Sequence, residues 1–317
     1  MKIDGDKALQ NAFRIKPMHR YPGLQDQQRS RDGLLFPSLK PSFSLSRGAR
    51  VFTLGSCFAR NVEEVLAGEF ELPAMRFKAP KTEWKFRPNG LLNEYNPAAM
   101  SQRLLWAANG QNIADMDCAL AGSDDDCIDL LLAGGSAVTR SRALERRREI
   151  DQIYADLPGS EVLILTLGMT ECWYDTEQKV HLNRGPLPAM VRAEPKRYRF
   201  ERLDVGESYL MLEKGIDAAL SAGLKRVLLT VSPVPLQSTF SGDDCVMANQ
   251  FSKSVLRIVA DRLRRRFVGR LDYFPSYEIA LSGGLSAFGD DHVHVRPDIV
   301  RQIVEYLCAS YIKSDRV

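Results

Sequence analysis

The sequence predicts an α/β fold: a three-layer, doubly wound and mostly parallel sheet with insertions at one rim. Four short apolar runs rich in Val, Ile and Leu have the composition of strands covered on both faces. Segments with a helical period separate these runs, and strands that alternate with helices form parallel sheets. The strands are predicted at 51–54, 162–167, 227–231 and 271–274, with a weaker fifth candidate around 72–77.

Predicted helices connect the strands. Their apolar residues recur every three or four positions, as Phe58, Val62 and Leu66 do after the first strand. Gly223 follows one helix directly, and Pro297 opens the last one, in agreement with the preferences of helix ends. The helices are predicted at 60–67, 207–222, 246–267 and 297–312.

The length of 317 residues suits one α/β domain with extensions. Residues 1–48 are polar and rich in turn formers, so we expect an arm that packs on the domain surface with little regular structure. The domain is predicted at 49–317. Segments at about 100–158 and 172–206 do not fit the strand–helix alternation, and insertions at a sheet rim often form lids or substrate walls.

The composition excludes several classes of function. The 43 Lys and Arg against 40 Asp and Glu give a net charge of +3, too balanced for a nucleic-acid-binding protein. The basic runs at 140–148 and 262–266 are expected to be solvated helix faces. We expect no membrane span, because no apolar stretch reaches 18 residues, and no secretory signal, because the first residues lack an apolar run. Six scattered cysteines without a CxxC pair indicate reduced thiols in a cytoplasmic protein and argue against zinc.

Candidate catalytic residues lie where the predicted strands end. Ser56 and Cys57 follow the first strand after a glycine, at the start of a helix. His294 is one of only four histidines, and Asp291 precedes it by three residues in the last rim loop. Imidazole is the natural base for a Ser or Cys nucleophile, and a carboxylate can orient it and stabilise its cation. The pattern therefore predicts a nucleophile–His–Asp site.

Several sequence blocks resemble one protein family. They are GSCFA at 55–59, YNP at 95–97, LGMTE at 167–171, VSPV at 231–234, ANQFSK at 248–253 and YFPSYE at 273–278. In this order, over about residues 48–312, they resemble the GSCFA family, distant relatives of the SGNH (GDSL-like) hydrolases. The resemblance implies an SGNH-hydrolase-like fold with flavodoxin-like strand order, and an enzyme that acts on acyl groups.

The resemblance also implies roles for the candidate residues. The late DxxH block of the SGNH pattern corresponds to Asp291 and His294. Aligned without a gap, the nucleophile of the GDS block corresponds to Cys57, and we favour this register. A shift by one residue selects Ser56. Both have a structural alternative, because Ser56 is a good helix N-cap and Cys57 could pack as a small apolar side chain.

In SGNH hydrolases, a glycine and an asparagine from two further loops complete the oxyanion hole with the nucleophile's own N–H. Gly90 is the candidate for the glycine donor. Thr170 stands where the asparagine is expected, in LGMTE, so the donor would be its hydroxyl or the amide of Asn93 or Asn96. Such donors contribute about 3–4 kcal/mol each to transition-state stabilisation.

Residues that flank the rim blocks are candidate substrate contacts. Glu171 could orient a sugar hydroxyl, although a cap or an ion pair with an arginine such as Arg87 is the more common role. Trp173 and Trp84 could stack on a sugar ring or belong to the core. Asn93 is a further candidate contact.

Neither a metal nor an organic cofactor is expected. His292 and His294 form an HxH pattern, but alternate residues in a loop rarely bind one ion and the sequence suggests no third ligand. The glycine-rich pieces match neither a Walker loop nor GxGxxG. Lys253 could face an anionic substrate group, with a solvated lysine as the default.

The sequence therefore predicts an ester hydrolase that removes acyl groups, such as O-acetyl, from a carbohydrate or glycan precursor or another small ester through an acyl-enzyme. One alternative is an O-acyltransferase with a thioester or ester donor. The other is a non-catalytic glycan-binding or scaffold protein on the same fold. The sequence does not indicate an oligomeric state.

Overall fold

The structure is a computed structural model that describes residues 2–13, 17–23 and 25–312. Its helices are α1 (Gly5–Phe13), α2 (Cys57–Leu66), α3 (Pro97–Ala108), α4 (Arg140–Tyr154), α5 (Pro188–Ala193), α6 (Val205–Ser221), α7 (Cys245–Arg266), α8 (Ser276–Ser282) and α9 (Pro297–Tyr311). Its strands are β1 (Ser30–Arg31), β2 (Leu34–Leu35), β3 (Val51–Gly55), β4 (Leu120–Gly122), β5 (Cys127–Asp129), β6 (Val162–Leu167), β7 (Glu171–Asp175), β8 (Val180–Leu182), β9 (Tyr198–Arg202), β10 (Arg226–Val231) and β11 (Leu271–Tyr273).

The central sheet contains four parallel strands in the order β11-β10-β6-β3. These are the four apolar runs of the sequence, and β6 is buried along its whole length. Helices α2, α8 and α9 cover one face of the sheet, whereas α3, α4, α6 and α7 cover the other. The prediction of a three-layer α/β fold with a parallel sheet is confirmed.

The fifth predicted strand, around 72–77, is wrong. Pro73–Arg76 forms a 3-10 turn instead. On the free side of β3, the described part of this segment forms one isolated parallel bridge, between Arg50 and Glu71. This is the side on which a flavodoxin-like order places its second strand. Because proline has no N–H to donate to a strand ladder, Pro73 stops the pairing after that bridge.

The insertions form small antiparallel sheets at the rim. Strand β7 pairs with both β8 and β9, and β4 pairs with β5. In the arm, α1 and the β1–β2 pair are regular elements that the sequence did not predict. Leu34, Phe36 and Leu45 anchor the arm, since each is only 1% exposed.

The first basic run is not a solvated face throughout. Arg146 and Arg147 of α4 are buried, and they pair with Glu83 and Asp129, respectively. None of the described helices combines the length and apolar character that crossing a membrane requires.

Candidate active site

A cavity of about 620 Å³ opens at the carboxyl ends of the central strands. This is where α/β sheets commonly bind their ligands. Its walls come from the β3–α2 turn, the 84–96 loop, the loops after β6 and β10, the β7–β9 sheet and the loop that precedes α9. Among the predicted site residues, those that line it are Ser56, Cys57, Gly90, Asn93, Asn96, Glu171, Trp173 and His294.

The turn between β3 and α2 requires a glycine. Gly55 has a φ of 153°, and a Cβ there would lie 2.4 Å from the carbonyl oxygen of Thr166 on β6. The close approach of β3 and β6 therefore leaves no room for a side chain. It places Ser56 and Cys57 at the end of the sheet, facing the cavity.

Ser56 is the N-cap of α2. Its Oγ accepts a hydrogen bond from the N–H of Phe58 at 3.4 Å, and its own N–H donates to the carbonyl of Thr166 at 3.3 Å. The side chain is buried although it touches the cavity. The capping interpretation of Ser56 is therefore correct, and its hydroxyl is engaged in holding the helix start.

Cys57 is the first residue of α2 and is half-buried at the cavity wall. Burial raises the pKa of its thiol. The charge of Lys253, the N–H groups of Phe58 and Cys57, and the charge of Arg87 offset only part of this effect, so the pKa of Cys57 stays above its ordinary value. Helix N-termini and nearby cations are the features that favour a thiolate in reactive cysteines. Cys57 therefore has two of these features, whereas the Oγ of Ser56 caps the helix.

Lys253 is the charged residue whose position the sequence interpretation missed. It is only 1% exposed, neither solvated nor part of the cavity lining. Its Nζ donates to the carbonyl oxygens of Gly168 and Val234, both at 2.7 Å. A signal was available, since Lys253 shares a helical face with Leu256 and Ala260, which are fully buried.

Asp291 and His294 form a hydrogen-bonded pair in the loop before α9. The Asp291 carboxylate lies 2.6 Å from Nδ1 of His294 and accepts the backbone N–H groups of Val293 and His294 at 3.0 Å. The bond to the imidazole and these N–H groups lower the pKa of Asp291. Nε2 of His294 has no partner in the described chain, and the ring reaches the cavity that Cys57 lines.

Two predicted oxyanion donors are placed differently. The N–H of Gly90 donates to the carbonyl of Arg87 at 2.8 Å, inside a 3-10 turn, so it is not free. Thr170 is fully buried outside the cavity lining, and its hydroxyl and N–H bond to Oγ of Ser252 at 2.9 and 3.2 Å. Both hydrogen-bond arrangements depend on local packing, which the resemblance of short sequence blocks does not reveal.

Asn96 keeps a free donor. Its Oδ1 caps α3 by accepting the N–H of Ala99 at 2.9 Å, while its Nδ2 has no acceptor within the described chain. The backbone N–H of Cys57 likewise has no acceptor in another described residue. Both residues line the cavity, so these two groups are candidate oxyanion donors.

The predicted substrate contacts differ in availability. Both carboxylate oxygens of Glu171 are occupied, by the hydroxyl of Thr239 and the N–H of Phe240, so Glu171 anchors the loop after β10 and does not pair with Arg87. Asn93 donates to the phenol of Tyr95, and its Oδ1 is buried without a partner among the described residues.

Aromatic rings form one wall of the cavity. Trp173 packs against Phe200 and Phe240, with ring centroids 5.6 and 5.4 Å apart. Trp84 packs against Phe86 on another part of the lining. The indole nitrogens of both tryptophans are buried without a partner in the described structure.

One cluster has the side chains of a metal site. Cys172, His181 and Glu201 on the β7–β9 sheet have donor atoms within 4.8 Å of one another. Direct contacts already account for this arrangement, because Nε2 of His181 lies 3.4 Å from Glu201 and Arg199 holds the other carboxylate oxygen. The HxH of the last rim loop is not part of the cluster.

The fold and the cavity define an α/β protein with a thiol, an imidazole and a carboxylate at the carboxyl end of a parallel sheet. The chain belongs to the GSCFA family, whose model matches residues 50–307. Neither the curated proteins nor the solved structures compared with it include a match.

Proposed function

We propose that this protein is a cytoplasmic SGNH-like hydrolase that removes acyl groups from ester substrates through an acyl-enzyme on Cys57. The observation that supports it is the shared cavity: the half-buried thiol at the start of α2 and the Asp291-bound ring of His294 line the same space. A nucleophile, a base and a group that orients the base are the parts that acyl transfer needs.

In the proposed first step, Nε2 of His294 takes the Cys57 proton, and the sulfur attacks the ester carbonyl carbon. The oxyanion accepts hydrogen bonds from the N–H of Cys57 and Nδ2 of Asn96. Collapse of the tetrahedral intermediate breaks the bond to the leaving alcohol, which receives the proton from His294. Asp291 holds Nδ1–H and stabilises the imidazolium.

In the second step, His294 takes a proton from water, and the resulting hydroxide attacks the thioester carbonyl. The acid leaves, and the proton returns to the Cys57 sulfur. Acyl-enzyme formation therefore splits one ester hydrolysis into two easier displacements.

The cavity lining suits a carbohydrate ester. Trp173 and Phe200 offer apolar faces against which a sugar ring can pack. Asn93 and Asn183, whose Oδ1 atoms have no partner among the described residues, line the same cavity. Buried polar atoms usually find a partner, which sugar hydroxyls would supply.

Transfer to an alcohol is the second candidate, and the chemistry of Cys57 favours it. A thiolate exchanges acyl groups readily with thioesters, so a thioester donor and a sugar hydroxyl acceptor would use the same residues. Free acid forms only in the hydrolase, whereas acylated sugar accumulates only in the transferase.

The test measures acid release from 4-nitrophenyl acetate and from a peracetylated monosaccharide, with and without a sugar acceptor. Cys57→Ala is expected to abolish turnover, whereas Cys308→Ala, which removes another half-buried thiol on α9, leaves it unchanged. Full activity of a folded Cys57→Ala variant would contradict the proposal. Absence of turnover and of acyl transfer in the wild-type protein, over a panel of esters and thioesters, would favour the non-catalytic alternative.

A further inference from the structure

Lys253 is a buried cation without a carboxylate partner. Its Nζ bonds two backbone carbonyls, and no acidic side chain pairs with it in the described part of the chain. Burying an unpaired charge is costly, and two neutral carbonyls compensate for only part of that cost. A charge kept at such a position calls for an explanation beyond packing.

The two carbonyls place the amine beneath the cavity wall next to Cys57. Gly168 and Val234, which provide them, both line the cavity. Gly168 also adjoins the β3–α2 turn, because a Cβ on it would lie 3.4 Å from Cβ of Ser56. No hydrogen bond joins Nζ to the sulfur of Cys57 among the described contacts, so the two groups interact through their charges.

We infer that Lys253 is a positioning residue that serves as the buried counter-charge of a Cys57 thiolate. The inference rests on the proposed function only in the identity of the nucleophile. The ammonium fixes the loops at Gly168 and Val234 and stabilises the ionised sulfur within the low-dielectric wall, where a charge acts more strongly than in water. The positive charge of Lys253 therefore serves to stabilise the ionised form of Cys57.

Other charged or titratable groups also surround Cys57. Arg87 acts in the same direction as Lys253, but its guanidinium is partly engaged by Asn61 and Glu64. The phenol of Tyr95 is held by Asn93. The remaining charged or titratable groups among the described residues that line this cavity are Arg60, Glu171, Cys172, Arg184 and His294.

The positions of Lys253 and Cys57 determine how the two groups titrate. Burial lowers the pKa of Lys253 to about 7, against the opposing charge of an ionised Cys57. The ammonium is therefore fully present below neutral pH and is lost as the pH rises through about 7. Burial also raises the pKa of Cys57, and the charge of Lys253 reduces that rise. Removal of the cation is expected to raise the pKa of Cys57, so that less thiolate is present at pH 7.

The test follows alkylation of Cys57 by iodoacetamide between pH 5 and 10, with peptide mass spectrometry to resolve the six cysteines. In Lys253→Met, the midpoint of the Cys57 profile is expected to rise by about one pH unit and the rate at pH 7 to fall about tenfold. Lys253→Gln, which is neutral but can still donate hydrogen bonds from its amide, should behave like Lys253→Met. Lys253→Arg keeps the charge and should restore most of the rate. Cys308 in the same sample is the reference thiol.

A purely structural lysine predicts a different result. If folded Lys253→Met or Lys253→Gln keeps the wild-type midpoint, the inference is overturned. If neither neutral variant folds, the wild-type profile decides: a Cys57 midpoint below that of Cys308, whose pKa burial also raises, supports the inference, and a midpoint equal to or above that of Cys308 overturns it. Alkylation needs no turnover, so failure of ester hydrolysis would leave this result intact.

Discussion

The two halves of the candidate site are built in opposite ways. Cys57 begins α2 just after the buried strand β3, and Lys253, which is 1% exposed, lies within α7. His294 and Asp291 lie in a turn before α9, with side chains 58% and 50% exposed. The first half therefore depends on burial and fixed charges. The second half depends on one direct hydrogen bond and on backbone N–H groups.

Because of this difference, substitutions in the two halves are expected to affect activity and folding stability to different degrees. Exposed ion pairs contribute little to folding, because water screens them. Changes in the Asp291–His294 loop are therefore expected to reduce activity without unfolding the protein. Changes beneath Cys57 remove buried contacts and are expected to affect both, so they require variants that retain the local hydrogen bonds.

The largest expected effect is in the exposed half. His294→Ala removes the base and is expected to lower kcat about 10³-fold, within the usual range for general base catalysis, with an unchanged midpoint of thermal unfolding. His292→Asn is the matched control, because His292 is also exposed but does not line the cavity. Equal losses in the two variants would show that only the loop conformation matters.

A somewhat smaller effect is expected in the buried half, at Asn96. Asn96→Asp keeps the Oδ1 that caps α3 but replaces the free Nδ2 donor with an oxygen. The expected result is a decrease in kcat of about 10²-fold with little change in thermal stability. Asn96→Ser, which can also cap the helix, should show the same decrease without the added charge. An Asn96→Ser variant with wild-type kcat would show that the amide of Asn96 is not an oxyanion donor.

The smallest effect is expected at Thr170. Because its hydroxyl bonds to Ser252 and not to the cavity, Thr170→Val should leave kcat unchanged. The free energy of unfolding should decrease by about 1 kcal/mol, the ordinary contribution of one hydrogen bond. Denaturant unfolding and steady-state kinetics on the same sample measure both. A tenfold lower kcat in a natively folded variant would show that the hydroxyl of Thr170 contributes to the site.

The sequence predicts the parts of the site that depend on strand ends. An apolar run followed by Gly55 specifies the place of Cys57, and the spacing of Asp291 and His294 specifies their pairing. Both depend on a few residues that are close in the chain. For the same reason, the sheet and its main helices could be predicted.

Two of the contacts that sequence reasoning got wrong, those of Thr170 and Lys253, depend on distant parts of the chain, whereas the contact of Gly90 is local. Gly90 donates within its own turn, and Thr170 turns toward Ser252, 82 residues away. Lys253 is the clearest case: lysine is solvated by default, and the carbonyls of Gly168 and Val234 that accept its Nζ come from loops distant in the chain. Its apolar helical face was the available signal.

The identity of the acylated residue tests the central claim most directly. The wild-type protein is quenched in acid during turnover of 4-nitrophenyl acetate, digested and sequenced by mass spectrometry. We predict an acetyl group on Cys57 that hydroxylamine removes and that is absent from Cys57→Ala. The acetyl group accumulates in His294→Ala if that variant acylates Cys57 faster than it hydrolyses the thioester. An acetyl group on Ser56 in the wild-type protein, with Cys57 unmodified, would contradict the assignment.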